Sequence, residues 1–125
     1  MITFTLDYSS GVPIYRQIID QIRFGIVSGQ LNLGEQLPTV RALAVALKVN
    51  LNTVSKAYKE LEIKDILETQ QGTGTFINKT DFVVPEKERE EKLKEICTQF
   101  SSIAFSYGFS LDEVMQGLKK IETFK

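Results

Sequence analysis

Three residues, Lys48-Val49-Asn50, separate two stretches that each carry an apolar stripe of helical period. Before them Val40, Leu43, Ala44 and Leu47 recur at intervals of three and four, with the Thr39 hydroxyl placed to cap the first turn. After them Leu51, Val54, Tyr58 and Leu61 share one face, Asn50 is a second capping side chain, and Asn52, Thr53, Ser55, Lys56 and Lys59 occupy the other faces. Two short helices with so brief a connection must cross steeply, which is the geometry of a helix-turn-helix.

The flanking segments extend this pair into a domain. Ile2-Thr3-Phe4-Thr5-Leu6 alternates apolar and polar residues and predicts a short strand or extended arm packed on the domain by one face. Pro13 is favoured as a first helical residue, and Ile14, Ile18, Ile22 and Ile26 then recur every four positions, predicting a first helix of about fifteen residues that stops near Gly29. Arg16, Gln17, Asp20 and Arg23 lie elsewhere on its circumference and read as a solvated face. Leu31 to Pro38 carries Gly34 and Pro38 without helical period and reads as a loop. Beyond the third helix, Ile66 to Thr69 and Thr75 to Asn78 read as two strands around Gln70-Gln71-Gly72-Thr73-Gly74, where the glycines permit a tight turn. Helix, helix-turn-helix and hairpin in that order make a winged helix.

From Asp81 to Pro85 the helical pattern lapses, predicting a linker. Leu93, Ile96, Phe100, Ile103, Ala104 and Tyr107 then form a stripe ended by Gly108. A last helix follows, capped by Ser110 with Glu113 three positions on, and striped by Leu111, Val114, Leu118 and Ile121. Two amphipathic helices with no third element bury both stripes only against the winged domain or a second copy of the chain. The expected organisation is therefore a winged helix-turn-helix domain over 1–80 and a two-helix dimerisation tail over 81–125, mostly α with a small β-hairpin wing.

Composition narrows the function. Apolar residues make up 42% and charged residues 25%, as in ordinary folded proteins, and no long apolar run or charged-then-apolar leader is present. The expectation is a cytoplasmic protein with no membrane partner. The chain has no histidine, so the commonest general base and neutral metal ligand are missing, and neither an enzyme nor a cofactor is expected. Its one cysteine, Cys97, reads as an apolar helix position. Net charge is −1, which by itself speaks against a nucleic-acid partner. Residues 1–80 carry eight Lys or Arg against seven acids, and the remainder seven against nine, so the asymmetry is weak and a DNA role must rest on motif geometry.

Residues Pro13 to Ile18, Gly34 to Ala44, Asn52 to Leu61 and Gly72 to Phe76 together resemble the GntR family of bacterial regulators, in register over nearly all of 1–80. The short tail is similar to that of the YtrA subfamily, whose members lack large ligand-binding domains and dimerise through the tail. That resemblance implies a sequence-specific transcription regulator, a repressor by the simplest mechanism, which binds double-stranded DNA as a homodimer at an inverted repeat. ABC-transporter genes are its implied targets. An alternative within the family joins the winged domain to an aminotransferase-like enzyme, for which the 45 residues after Thr80 are far too few. Another is a winged helix used only for protein contacts.

The resemblance also implies where DNA is touched. In a helix-turn-helix the start of the third helix meets base edges. Asn52, Thr53, Ser55 and Lys56 are the candidates there: Asn pairs with adenine, Lys donates to guanine, and the Thr methyl meets that of thymine. Arg41 matches a family position at the DNA backbone or a neighbouring base. At the wing tip Gly72 allows close backbone approach, with Gln71 and Thr73 able to hydrogen-bond in the minor groove or to phosphate. Tyr58 lies on the apolar stripe and reads equally as core. The chain departs from the family at two places. Lys64-Asp65 replaces a frequent glycine in the turn before the wing, which Asp tolerates, and Ser55 replaces an arginine that in several relatives touches DNA. The effector, if there is one, stays unidentified: Phe100, Phe105, Tyr107 and Phe109 read as core before they read as the lining of a ligand cavity.

Overall fold

The computed structural model describes residues 3–79 and 84–122. The chain divides into two compact units, Met1–Val84 and Pro85–Lys125.

The first unit is built in the order α1 (Ile14–Val27), β1 (Gln36–Leu37), α2 (Val40–Leu47), α3 (Leu51–Ile63), β2 (Leu67–Gln70) and β3 (Gly74–Ile77). Its core is one cluster: Ile18, Ile19 and Ile22 from α1, Leu43 from α2, Val54, Ala57 and Leu61 from α3, and Leu67 and Ile77 from the sheet. Each large apolar side chain so buried contributes about 1.5–3 kcal/mol relative to exposure, and this burial holds α3 against α1 and α2. The caps at Thr39 and Asn50 form as their residue types predict: the Thr39 hydroxyl accepts from Ala42 N–H at 3.0 Å and the Asn50 amide oxygen from Asn52 N–H at 2.7 Å.

Both helices of the pair end in the same way. After α2, Lys48 N–H reaches Val45 and Val49 N–H reaches Ala44; after α3, Asp65 N–H reaches Glu62 and Ile66 N–H reaches Leu61. This Schellman arrangement needs a left-handed residue at its corner. Lys48 (φ 58°) and Asp65 (φ 59°) supply it, so Asp65 takes the conformation the missing glycine would have taken.

Two expectations for this unit change. The stretch read as a loop contains β1, and Leu31 and Leu37 within it are buried. β1 pairs antiparallel with β3, giving the strand order β1-β3-β2 with Gln36 opposite Phe76 and Leu37 opposite Thr75. Two residues are too few to show a period, and the pairing is continued beyond them by bonds from Gly34 N–H to Ile77 C=O and from Ile77 N–H to Glu35 C=O. Of the two forms expected for the first residues, strand or extended arm, residues 3–7 take the arm, and Ile2 lies outside the described residues. The arm is held instead by two side-chain amides of α1. Gln21 accepts from Thr5 N–H at 2.9 Å and donates to Thr5 C=O at 2.7 Å; Gln17 does the same at Asp7, with both distances 2.8 Å. Gln17 is thus a structural residue, not part of a solvated face. Phe4 and Leu6 pack against the core from the same arm.

Of the expected linker over 81–85, residues 81–83 lie outside the described residues; Val84 is buried and Pro85 caps the next helix. The second unit consists of α4 (Glu86–Ser106) and α5 (Leu111–Glu122). Glu86 and Glu88 suit the positive end of the α4 dipole. Gly108, at φ 84°, turns the chain, and Ser110 and Glu113 form the expected reciprocal cap, Ser110 N–H to Glu113 at 3.0 Å and Glu113 N–H to Ser110 at 3.2 Å. No described residue of this unit is buried. Phe100, Phe105, Tyr107 and Phe109, expected as core, are exposed, and so is Cys97. Phe100, Tyr107 and Phe109 line an open apolar groove of about 350 Å³ between the helices, together with Ile103, Leu118 and Ile121. Among the described residues no helix is long and apolar enough to cross a membrane.

Candidate nucleic-acid interface

The sequence of α3 divides cleanly between an inner and an outer face. Val54, Ala57, Tyr58 and Leu61 are buried, which turns Asn52, Lys56 and Lys59 to solvent on the opposite side. Asn52, Ser55 and Lys56 line one open hollow of about 380 Å³ with Lys59, Glu60 and Ile63. Three of the four candidates on this helix therefore meet at a single surface. Thr53 lies on the same helix, half-buried and outside that lining. The amide at the start of the helix is capped by Asn50, so neither Asn52 nor Thr53 is needed for that task.

Tyr58 is core: it is 2% exposed, and its hydroxyl donates to the Pro38 carbonyl at 2.8 Å. Burial pushes that hydroxyl's ionisation well above the ordinary tyrosine range. The bond fixes α3 to the residue immediately before the Thr39 cap, and so sets where α2 begins. Arg41, the second residue of α2, is exposed outside the α3 hollow.

The Lys56 side chain is anchored on its own side of the molecule by α1. Its ammonium lies 3.9 Å from the centroid of the Tyr15 ring, and the Arg16 guanidinium lies 5.8 Å from the same ring. Both distances are within the range at which a ring quadrupole attracts a cation. Tyr15 is itself half-buried and packed against the core.

The wing places Gln71, Gly72 and Thr73 at its exposed tip, on an element separate from the other candidates. Thr73 N–H bonds Gln70 C=O at 3.0 Å, and Gly72, at φ 80°, occupies the third position of the turn, where a type II turn requires a left-handed residue. Gln36 of β1 braces this tip: its amide donates to Thr73 C=O at 3.1 Å, and a Cβ on Gly74 would stand 2.5 Å from the amide nitrogen. A second brace joins the wing to α3, from the Thr69 hydroxyl to the Glu62 carboxylate at 2.7 Å. Residue type alone does not reveal Gln36, Glu62, Thr69 or Tyr15, since each acts through a partner distant in sequence. Two carboxyls elsewhere in the unit are held below their ordinary range, the exposed Asp7 by the Ser9 hydroxyl and N–H and the half-buried Glu35 by the Asn32 N–H.

Comparison with known proteins follows the same outline. Residues 14–77 match the pattern of bacterial regulatory proteins, gntR family. The chain is 38% identical over 116 residues to the HTH-type transcriptional repressor YtrA of Bacillus subtilis, covering 93% of this chain and 89% of that protein. Among solved structures, a transcriptional antiterminator from Listeria monocytogenes is 34% identical and superposes with a TM-score of 0.61 over 97% of this chain and 90% of its own. The DNA-binding domain of AraR in complex with an operator is 27% identical with a TM-score of 0.50, over 62% of this chain and 94% of that one.

Proposed function

Since the chain belongs to the gntR family of bacterial regulatory proteins and is YtrA-like along most of its length, we propose that it is a sequence-specific DNA-binding repressor acting as a homodimer on an inverted-repeat operator. The first unit binds DNA and the second dimerises. The observation that carries the proposal is the outer face of α3, where Asn52, Ser55 and Lys56 share one exposed hollow on a helix whose opposite face is the domain core. Asn52, Thr53, Ser55 and Lys56 address base edges in the major groove, Arg41 the backbone or a neighbouring base, and Gln71, Gly72 and Thr73 the minor groove or phosphate. Few cations are available, so each half-site makes few phosphate contacts and affinity depends on joining two half-sites. The subfamily likeness suggests ABC-transporter genes as targets.

Dimerisation is supported by the second unit's own surface. Phe100 (45% exposed), Ile103 (62%), Leu118 (48%) and Ile121 (61%) line an apolar groove on two helices in which none of the described residues is buried. A second copy of the chain offers the same groove, as a two-fold interface requires.

Fluorescence anisotropy with the full chain tests the site. Arg41→Ala is expected to weaken binding to all duplexes alike, and Asn52→Ala to relax discrimination at particular base pairs, by about 1–3 kcal/mol. Unchanged affinity and discrimination in both variants would overturn the assignment.

A further inference from the structure

An exposed lysine ordinarily samples many rotamers, and ordering it on a ligand costs conformational entropy. Lys56 starts from a different position, because its ammonium already rests 3.9 Å from the Tyr15 ring centroid. That ring belongs to another helix, α1, and is fixed by its own packing against the core. A carboxylate partner would order the ammonium as well, but it would cancel the charge that attracts phosphate and compete for the N–H donors. A ring face does neither: it is uncharged, and the donors turned away from it remain free to bond.

We propose that Tyr15 is a positioning residue for DNA binding, its ring holding the Lys56 ammonium in place on the outer face of α3 before DNA arrives. The proposal rests on the reading of that face as the DNA surface and adds α1 to the elements that shape it. It makes the aromatic ring, and not the phenol hydroxyl, the active feature of Tyr15.

The test uses the full chain with a fluorescent mixed-sequence duplex at low salt, where a cation held in the groove draws the phosphates beside whichever base edge it faces and so contributes to affinity for any sequence. Tyr15→Leu is expected to weaken binding about two- to fivefold, the worth of an exposed cation–π contact. Tyr15→Phe is expected to match the wild type. In a Lys56→Met background, Tyr15→Leu should have no further effect. A series of fluorinated phenylalanines at position 15 conserves shape while draining the ring quadrupole, and should weaken binding stepwise even if Tyr15→Leu folds poorly. In the free protein, the Lys56 ε-methylene protons should be shifted upfield by the ring current in the wild type and Tyr15→Phe, and return to ordinary values in Tyr15→Leu.

Equal losses in Tyr15→Phe and Tyr15→Leu would assign the effect to the hydroxyl and overturn the inference. So would a loss that persists in the Lys56→Met background, or tighter binding by Tyr15→Leu, which would mean that the ring competes with DNA for the lysine. If the wild type binds no duplex, or Lys56→Met alone binds as well as the wild type, the DNA reading of Lys56 fails, and the inference fails with it. Failure of the inference alone shows instead as a weakened Lys56→Met beside an unaffected Tyr15→Leu.

Discussion

Replacing Tyr58 by phenylalanine removes one oxygen from the centre of the helix-turn-helix and leaves the apolar packing of the ring in place. The lost hydroxyl is the donor to the part-buried Pro38 carbonyl at 2.8 Å, so at neutral pH the variant should be less stable by about 1 kcal/mol, the net worth of an ordinary hydrogen bond. At alkaline pH a second effect runs the other way. Burial raises the hydroxyl's ionisation in the folded chain above its ordinary value of 10.0, so between the two values the unfolded chain is ionised and the folded chain is not. Stability from this group is therefore complete below about pH 10 and is lost as pH rises, by about 1.4 kcal/mol per pH unit. Phenylalanine has no such dependence. Urea denaturation followed by circular dichroism should show the wild type above Tyr58→Phe at pH 7, with the two converging between about pH 10 and 12. Curves that stay parallel above pH 10 would refute the burial argument. Equal stability at pH 7 would refute the role of the Pro38 bond.

Further predictions concern other parts of the chain. Lys48→Gly relieves a left-handed lysine and should stabilise the protein by about 1 kcal/mol, seen as a melting temperature higher by several degrees; a lower one would contradict the corner geometry. Gly74→Ala should displace the Gln36 amide from Thr73 and loosen the wing, weakening DNA binding more than Gln36→Ala does, because alanine is also strained at φ 139°; equal binding by wild type and Gly74→Ala would remove the brace from the account. The pair Phe100→Glu and Leu118→Glu should yield a monomer in sedimentation equilibrium. Each of these half-exposed side chains gains about 1 kcal/mol on burial, so losing two from each protomer removes about 4 kcal/mol, roughly a thousandfold in dissociation constant. A dimer of unchanged strength would place the interface elsewhere.

What could be read from the residues was what depends on local period and capping. Thr39, Asn50 and Ser110 each stand at a helix start with the side chain that start requires, and the stripes they introduce are long enough to recognise. What could not be read depends on partners far along the chain. β1 is two residues long and is defined by Phe76 and Thr75, nearly forty positions later. Gln17 and Gln21 look like solvated polar residues until the arm lies beside them, and their spacing of four matches the spacing of two between Thr5 and Asp7 on an extended chain. The candidate site divides in the same way. Asn52 and Lys56 could be named because they fall off the apolar stripe of α3, whereas Tyr15 becomes relevant only through the ring contact that joins α1 to Lys56. The tail aromatics are exposed where the pattern predicts core because an apolar stripe says that a face seeks cover and not which molecule covers it.

Selection of bound duplexes from a random-sequence pool by the full chain reads sequence specificity and two-fold symmetry together. A two-fold dimer of winged domains should enrich an inverted repeat whose half-site centres are separated by about one helical turn, roughly 34 Å, or a multiple of it. A pool that shows no enrichment, or converges on a single unrepeated half-site, would contradict it.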